Sequence, residues 1–132
     1  MAEKTAAELV AAAKAAIENL TVDQVASELQ DGRTVIVDIR ESEERVQNGS
    51  IPGAVHLPRG MLEFYADPTS PYYRNEIAPD KRVILHCASG GRSALAVQTL
   101  RELGYANVAH LDGGFNAWIA AGHTVQQENL GM

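Results

Sequence analysis

The sequence predicts an α/β protein with a central, mainly parallel sheet and helices on both faces. Four short apolar runs, typical of buried strands, alternate with segments of helical pattern. No hairpin signal joins any two of these runs, which favours parallel over antiparallel pairing. Ligands of such sheets bind beyond the carboxyl ends of the strands, so we expect the functional site there.

The length of 132 residues suits one domain, and the net charge of −6 argues against a nucleic-acid partner. An acidic protein can still bind a small anion in a local basic pocket. The single cysteine excludes an internal disulfide and suits a reducing compartment. The sequence shows no secretory signal and no stretch long enough to span a membrane, so we expect a cytoplasmic protein without a membrane partner.

Two threonines mark the starts of N-terminal helices, because Thr5 and Thr21 each precede Glu or Gln at capping-box spacing. The first helix is predicted to run to about Asn19 and the second to stop near Gly32. We therefore divide the chain into a helical extension, a domain and a short tail, at residues 1–20, 21–126 and 127–132.

The rest of the chain alternates regularly between strands and helices. Strands are predicted at residues 34–38, 54–56, 82–86 and 108–111, and helical segments at 41–47, 60–65, 93–103 and 114–121.

A glycine-containing loop, residues 86–93, joins the strand at 82–86 to a helix and contains Cys87. Gly90 and Gly91 can take positive φ, so the loop can curl with its N–H groups inward, and the helix N-terminus adds partial positive charge. Such a cradle would stabilise a thiolate and equally a persulfide anion. A cation at a helix N-terminus is unfavourable by about 0.3–1 kcal/mol, so Arg92 is explained best if it faces a bound anion.

The alternative interpretation makes Cys87 a buried structural thiol and Arg92 a solvated surface charge. Buried cysteine is common. A position between a strand and a Gly-Gly turn is nevertheless poorly suited to core packing, which favours a functional role for Cys87.

From about Thr21 to Val125, the sequence resembles the rhodanese family. The matching segments are Val37-Asp-Ile-Arg40 with Glu44, Ile51-Pro-Gly-Ala54, the loop from Cys87 to Ser93, and Leu111-Asp-Gly-Gly-Phe-Asn-Ala-Trp118 with Gly122. The sequence departs from the family at Ser50, where the family usually has histidine; we expect that position to be structural. The resemblance implies a three-layer rhodanese-like domain, to which the first helix is an addition.

The resemblance also implies sulfur transfer through a persulfide on Cys87. A small anionic donor such as thiosulfate would give its outer sulfur to the thiolate, and cyanide, a thiol or a protein acceptor would remove it. Arg92 would position the donor. Backbone N–H groups would stabilise the anion in both half-reactions, and these belong to Ala88, Ser89, Gly90, Gly91, Arg92 and Ser93. Glutathione persulfide, mercaptopyruvate and a protein persulfide remain open as donors.

Several other polar residues have two interpretations. The resemblance implies that Asp38 and Arg40 support the site by ion pairing or by bonding to loop amides, and the alternative is a purely structural pair. Arg59 either lies at the edge of the pocket, where it would favour anions, or is a surface arginine. His86 adjoins Cys87, but neighbours on a strand point to opposite faces, which disfavours a general base. The remaining histidines are His56, His110 and His123. Their spacing does not match that of metal ligands, so we expect neither a metal nor a cofactor.

Two rival functions remain. A rhodanese-like phosphatase or arsenate reductase would have five residues between its His-Cys pair and the arginine, whereas four separate Cys87 from Arg92. A non-catalytic sulfur-carrier or regulatory module is the other rival, and such modules commonly lack the cysteine.

Overall fold

A parallel five-stranded sheet forms the centre of the protein in a computed structural model that describes residues 3–127. Its strand order is β1-β5-β4-β2-β3, and every neighbouring pair is parallel. The strands are β1 (Glu18–Leu20), β2 (Thr34–Asp38), β3 (Val55–His56), β4 (Arg82–His86) and β5 (Val108–Leu111). The predicted fold class is confirmed, and β4, which precedes Cys87, is the central strand.

Helices cover both faces of this sheet. They are α1 (Ala6–Ala16), α2 (Val22–Leu29), α3 (Ser42–Asn48), α4 (Leu62–Ala66), α5 (Gly91–Glu102) and α6 (Gly114–Ala120), with a 3₁₀ turn at Arg59–Met61. One core cluster joins the sheet to α4 and α5 through side chains such as Leu62 and Leu100. A second cluster on the other face joins it to α2 and α6 through Val25 and Trp118.

The N-terminal segment differs from the sequence-based expectation. The capping boxes at Thr5 and Thr21 are both present. However, α1 ends at Ala16, and β1 follows it on the edge of the sheet, paired with β5. The Asn19 side chain terminates the helix by donating to the carbonyls of Lys14 and Ile17 at 2.9 and 3.1 Å. The alanine-rich sequence contains no comparable stop signal, so the helix predicted to about Asn19 is wrong there.

The segment after α6 contacts the loop between α3 and β3. There Ser50 and Gln126 form an antiparallel bridge, in which each backbone N–H donates to the other residue's carbonyl oxygen at 2.8 Å. Ser50 is buried. The domain limits proposed above remain predictions, and all but the first residue of the proposed tail lies outside the described residues. Within residues 3–127, every helix is too short or too polar to span a bilayer.

Candidate active site

Cys87 lies where the sequence predicts the site, directly after the carboxyl end of β4. The ends of β5 and β2 lie on either side, because both strands pair with β4. The loop after Cys87 leads into α5, whose twelve residues begin at Gly91. The nucleophile candidate therefore lies between two other strand ends and a helix N-terminus.

The loop curls at Gly90, whose φ of +108° falls in the region that favours glycine. This conformation directs the Gly90 N–H to the Cys87 Sγ at 3.2 Å. Gly91 does not take positive φ and instead begins α5, contrary to expectation. That the N–H groups of Ala88, Ser89 and Ser93 enclose a bound sulfur anion remains a prediction.

Cys87 is more buried than its position suggested, with 1% of its surface exposed. It belongs to the core cluster on the α5 face, together with Leu85 and Val97. The expectation that a cysteine before a Gly-Gly turn packs poorly in the core is therefore wrong. Burial arises because the loop folds back over the sulfur through the Gly90 hydrogen bond.

The start of α6 holds the other side of the loop. The N–H groups of Phe115 and Asn116 donate to the carbonyls of Cys87 and Ala88 at 2.8 and 2.9 Å. A Cβ at Gly114, where φ is +61°, would lie only 2.6 Å from the Ala88 oxygen. The sequence pattern did not indicate that Gly114 lets a helix terminus approach the Cys87 loop.

Arg92 is engaged in an ion pair. Its two terminal nitrogens donate to the Glu44 carboxylate, both at 2.9 Å. Hydrogen bonding to Glu44, reinforced by the nearby Cys87, raises the pKa of Arg92. The same bonds lower the pKa of Glu44 against the opposing effect of burial. In this structure Arg92 faces a protein carboxylate, with its side chain 40% exposed, and its predicted role toward a bound anion remains a prediction.

Asp38 and Arg40 form a buried pair beside the site. The Arg40 guanidinium donates to both Asp38 oxygens at 3.0 and 2.9 Å and lies 4.2 Å from the centre of the Phe115 ring. Burial opposes ionisation of Asp38, but the bonds from Arg40 outweigh it and lower the pKa of Asp38. This pair connects β2 to α6, and among the described residues neither side chain is bonded to residues 87–93, although Asp38 lies near His86.

The His86 ring points away from the Cys87 sulfur, with its Nδ1 3.2 Å from the Cys87 carbonyl oxygen. It stacks on Phe115 with 6.2 Å between ring centroids, and its Nε2 lies 3.7 Å from Asp38 Oδ2. Burial lowers the pKa of His86, which keeps the ring neutral near pH 7. Its position on the opposite face agrees with strand alternation and leaves it without contact to the sulfur.

The sequence analysis did not find a series of hydrogen-bonded polar side chains that begins at the Cys87 sulfur, on the face of the sheet opposite His86. The Cys87 thiol lies 3.5 Å from Ser93 Oγ, which in turn lies 2.9 Å from His110 Nδ1. His110 Nε2 is 2.8 Å from Asn19 Oδ1. No sequence signal indicated this series, because it depends on the strand order that brings the end of β5, with His110, beside the Cys87 loop.

The other candidate residues lie apart from the sulfur. Arg59 donates to Glu63 at 3.0 Å and reaches Thr99 Oγ1 at 3.5 Å, so it braces the 3₁₀ turn against α5. His56 contacts the Arg40 carbonyl, and His123 stacks on Trp118. Residues 3–127 contain no group of three or more metal-ligating side chains close enough to hold an ion.

A parallel sheet with a cysteine in a short glycine-containing loop at the end of its central strand defines a small α/β domain with a candidate nucleophile at the strand ends. The model of the rhodanese-like domain matches residues 21–121, and the chain belongs to that family.

Individual relatives agree with this membership. A sulfurtransferase of Allochromatium vinosum is 34% identical over 106 residues, which cover 80% of this chain and 89% of the relative. A human single-domain sulfurtransferase has a TM-score of 0.68 and 28% identity, covering 77% of this chain and 95% of the other. A Rhodopseudomonas palustris protein of unknown function, described as a possible tyrosine phosphatase, has a TM-score of 0.87 and 38% identity, covering 96% and 97% of the two chains.

Proposed function

We propose that the protein transfers a sulfane sulfur from a small anionic donor such as thiosulfate to a thiophilic acceptor through a persulfide on Cys87. The Cys87 thiolate attacks the outer sulfur of thiosulfate, a new S–S bond forms, and sulfite leaves with the electron pair of the broken bond. Cyanide or a thiol then attacks the outer sulfur, and the Cys87 thiolate is regenerated. We place the reaction in the cytoplasm, because the lone cysteine suits a reducing compartment.

The observation that carries this proposal is the size and polarity of the loop around Cys87 Sγ. Four residues separate Cys87 from Arg92, and the Gly90 N–H already donates to the sulfur at 3.2 Å. The N-terminus of α5 adds partial positive charge at the same place. A ring of this length suits one additional sulfur atom, which needs few donors at short range.

Arg92 supports the donor half-reaction in this account. This role is supported by its position in the first turn of α5 after the Cys87 loop, where Glu44 holds the guanidinium in a bidentate pair. Because the arginine is partly exposed, an anionic donor can bond to its outer edge or displace the carboxylate. Arg59 is bound to Glu63 and is not needed in this scheme.

Phosphatase activity is the second candidate, favoured by the likeness to the Rhodopseudomonas palustris protein and by the His86-Cys87 pair. Two observations weigh against it. The loop is one residue shorter than the five-residue spacing of the rhodanese-like phosphatases, so it forms a smaller ring for a tetrahedral oxyanion. His86 also packs on the opposite face of the sheet and cannot supply a proton to a leaving group at the sulfur.

A panel of donors tests the proposal against this rival. Thiosulfate, glutathione persulfide and mercaptopyruvate are each supplied with cyanide as acceptor, and p-nitrophenyl phosphate is supplied to the same preparation. We expect thiocyanate from at least one donor, no nitrophenol release, and loss of all turnover in Cys87→Ala. Turnover of the phosphate ester alone, abolished in the same variant, would overturn sulfur transfer in favour of phosphatase chemistry.

A further inference from the structure

A continuous chain of side chains runs from the Cys87 sulfur to the edge strand of the sheet. Its three contacts are the 3.5 Å approach of Cys87 Sγ to Ser93 Oγ, the 2.9 Å bond from Ser93 to His110, and the 2.8 Å bond from His110 to Asn19. Ser93 and His110 are both fully buried, so water does not compete for the bond between them, whereas Asn19 at the far end of the chain is exposed. The chain joins α5, β5 and β1 to the loop of the nucleophile.

The direction of these hydrogen bonds is fixed at the Asn19 end. The Asn19 amide nitrogen donates to the Lys14 and Ile17 carbonyls, so its oxygen must be the atom that faces His110. That oxygen only accepts, and His110 Nε2 therefore carries the proton. His110 Nδ1 is left with its lone pair toward the Ser93 hydroxyl, which donates to it and can accept from the Cys87 thiol.

We propose that Ser93 and His110 form a proton relay that activates Cys87 as a nucleophile. The thiol proton passes to Ser93 Oγ while the hydroxyl proton passes to His110 Nδ1, leaving a thiolate, a neutral hydroxyl and an imidazolium. Bonds to hydrogen break and form in equal number, and no other reactant is needed. When the acceptor removes the sulfur, the regenerated thiolate regains its proton by the reverse route. The relay rests on the proposed role of Cys87 as nucleophile.

The charged groups around the relay allow this transfer. Burial lowers the pKa of His110, so the ring is neutral near pH 7 and its Nδ1 carries no proton; Asp112 opposes that shift and would stabilise the imidazolium, whereas Lys14 on α1 adds to the shift. Lys14 and Asp112 pair with each other at 3.1 Å, which weakens their separate effects. On the α5 side Arg92 is neutralised by Glu44, and His86 on β4 is itself kept neutral by burial. The proton transfer therefore creates a thiolate and an imidazolium, which are a pair of opposite charges.

Alkylation of Cys87 by iodoacetamide measures the relay without any sulfur donor. The thiolate is the species that reacts, so the dependence of the rate on pH reports proton removal from the thiol. His110→Gln keeps an amide that can hydrogen bond but cannot take a proton, and Ser93→Ala removes the connecting hydroxyl. Ser93→Thr restores a hydroxyl, and His123→Gln is the matched control on a partly buried histidine outside the relay. Near-UV circular dichroism and the melting temperature of each variant check that it is folded.

We expect His110→Gln and Ser93→Ala to slow alkylation at pH 7 by at least about tenfold, a modest share of what general base catalysis contributes. The midpoint of the pH–rate profile should move to higher pH in both, and recover in Ser93→Thr. His123→Gln should match the wild type. Unchanged profiles in folded His110→Gln and Ser93→Ala would overturn the relay. Failure to form a persulfide with any donor, alongside a profile that still depends on His110, would instead overturn the proposed sulfur transfer.

Discussion

The ion pair between Arg92 and Glu44 sets the electrostatics at the mouth of the Cys87 loop. Both terminal nitrogens of the arginine are occupied by the carboxylate, each at 2.9 Å. An anionic donor must compete with Glu44 or share the guanidinium with it. Glu44 therefore has two opposing effects, because it holds Arg92 in place and also lowers its affinity for a second anion.

Arg92→Ala should impair the donor half-reaction more than the acceptor half-reaction. A hydrogen bond to a charged group contributes about 1.5–3 kcal/mol, and the partial exposure of Arg92 favours the lower end, so kcat/KM for thiosulfate should fall about tenfold. Steady-state kinetics with thiosulfate and cyanide varied separately measure both half-reactions.

Glu44→Gln is the matched control for that prediction. It removes the competing charge, while the amide oxygen of the glutamine can still accept from Arg92 and hold it near its position, so kcat/KM for thiosulfate should be retained or rise. Equal losses in Arg92→Ala and Glu44→Gln would mean that the two residues act only as a structural pair.

At the residue scale the sequence predicted only part of the site. Cys87, Gly90 and Arg92 lie within six consecutive residues, so their spacing alone brings them together. His110 and Asn19 could not be found in that way, because they are 91 residues apart and meet only through the pairing of β1 with β5. The Asn19 segment was also predicted as helix, which concealed its position on the edge of the sheet.

Among the secondary-structure elements, α6 has the largest effect on the shape of the Cys87 loop. Its first N–H groups donate to the Cys87 and Ala88 carbonyls, and Gly114 permits the close approach. The strand-to-helix alternation was predictable from apolar periodicity. The docking of α6 on the loop was not, because it depends on the strand order that brings β5 beside β4.

Gly114→Ala should therefore destabilise the protein and lower its activity together. Positive φ costs a non-glycine residue about 1–2 kcal/mol, and here the added Cβ also meets two backbone carbonyl groups. We expect a loss of unfolding free energy above about 2 kcal/mol and a fall in kcat of at least about tenfold from displacement of the loop.

Gly122→Ala provides the control for strain alone, since φ there is +81° and an added Cβ would have no atom within 4 Å. It should lose about 1 kcal/mol of unfolding free energy and keep its kcat. Chemical denaturation and thiocyanate production measure the two effects, and equal kcat values in the two alanine variants would contradict the proposed docking role of α6.

At the scale of the whole molecule, each face of the sheet contains one fully buried histidine. His86 packs on Phe115 beneath α6, and His110 lies in the relay near α1. Burial is the main reason that the pKa of each is lowered from 6.5. The unfolded chain therefore binds these protons at a higher pH than the folded chain, and protonation favours unfolding.

The unfolding free energy should then be greatest above pH 6.5 and fall as the pH drops below that value, by up to about 1.4 kcal/mol per pH unit for each histidine. Asp38 and Glu44 do not contribute to this change in unfolding free energy between pH 8 and 5.5. Their pKa values are lowered from 3.8 and 4.5, so both carboxylates stay ionised in the folded and the unfolded chain over that range. Urea denaturation across that range measures the slope. His110→Gln should reduce this slope, whereas a wild-type stability independent of pH would contradict the neutral buried state of both rings.

The measurement that tests the central claim most directly is the intact mass of the protein after incubation with a sulfur donor. Wild type treated with thiosulfate should gain the mass of one sulfur atom and lose it again when cyanide is added. Cys87→Ser should gain nothing while keeping the wild-type circular dichroism spectrum, because a hydroxyl is a far weaker nucleophile and forms no persulfide. Absence of the added sulfur in wild type with every donor, or its appearance in Cys87→Ser, would contradict the account.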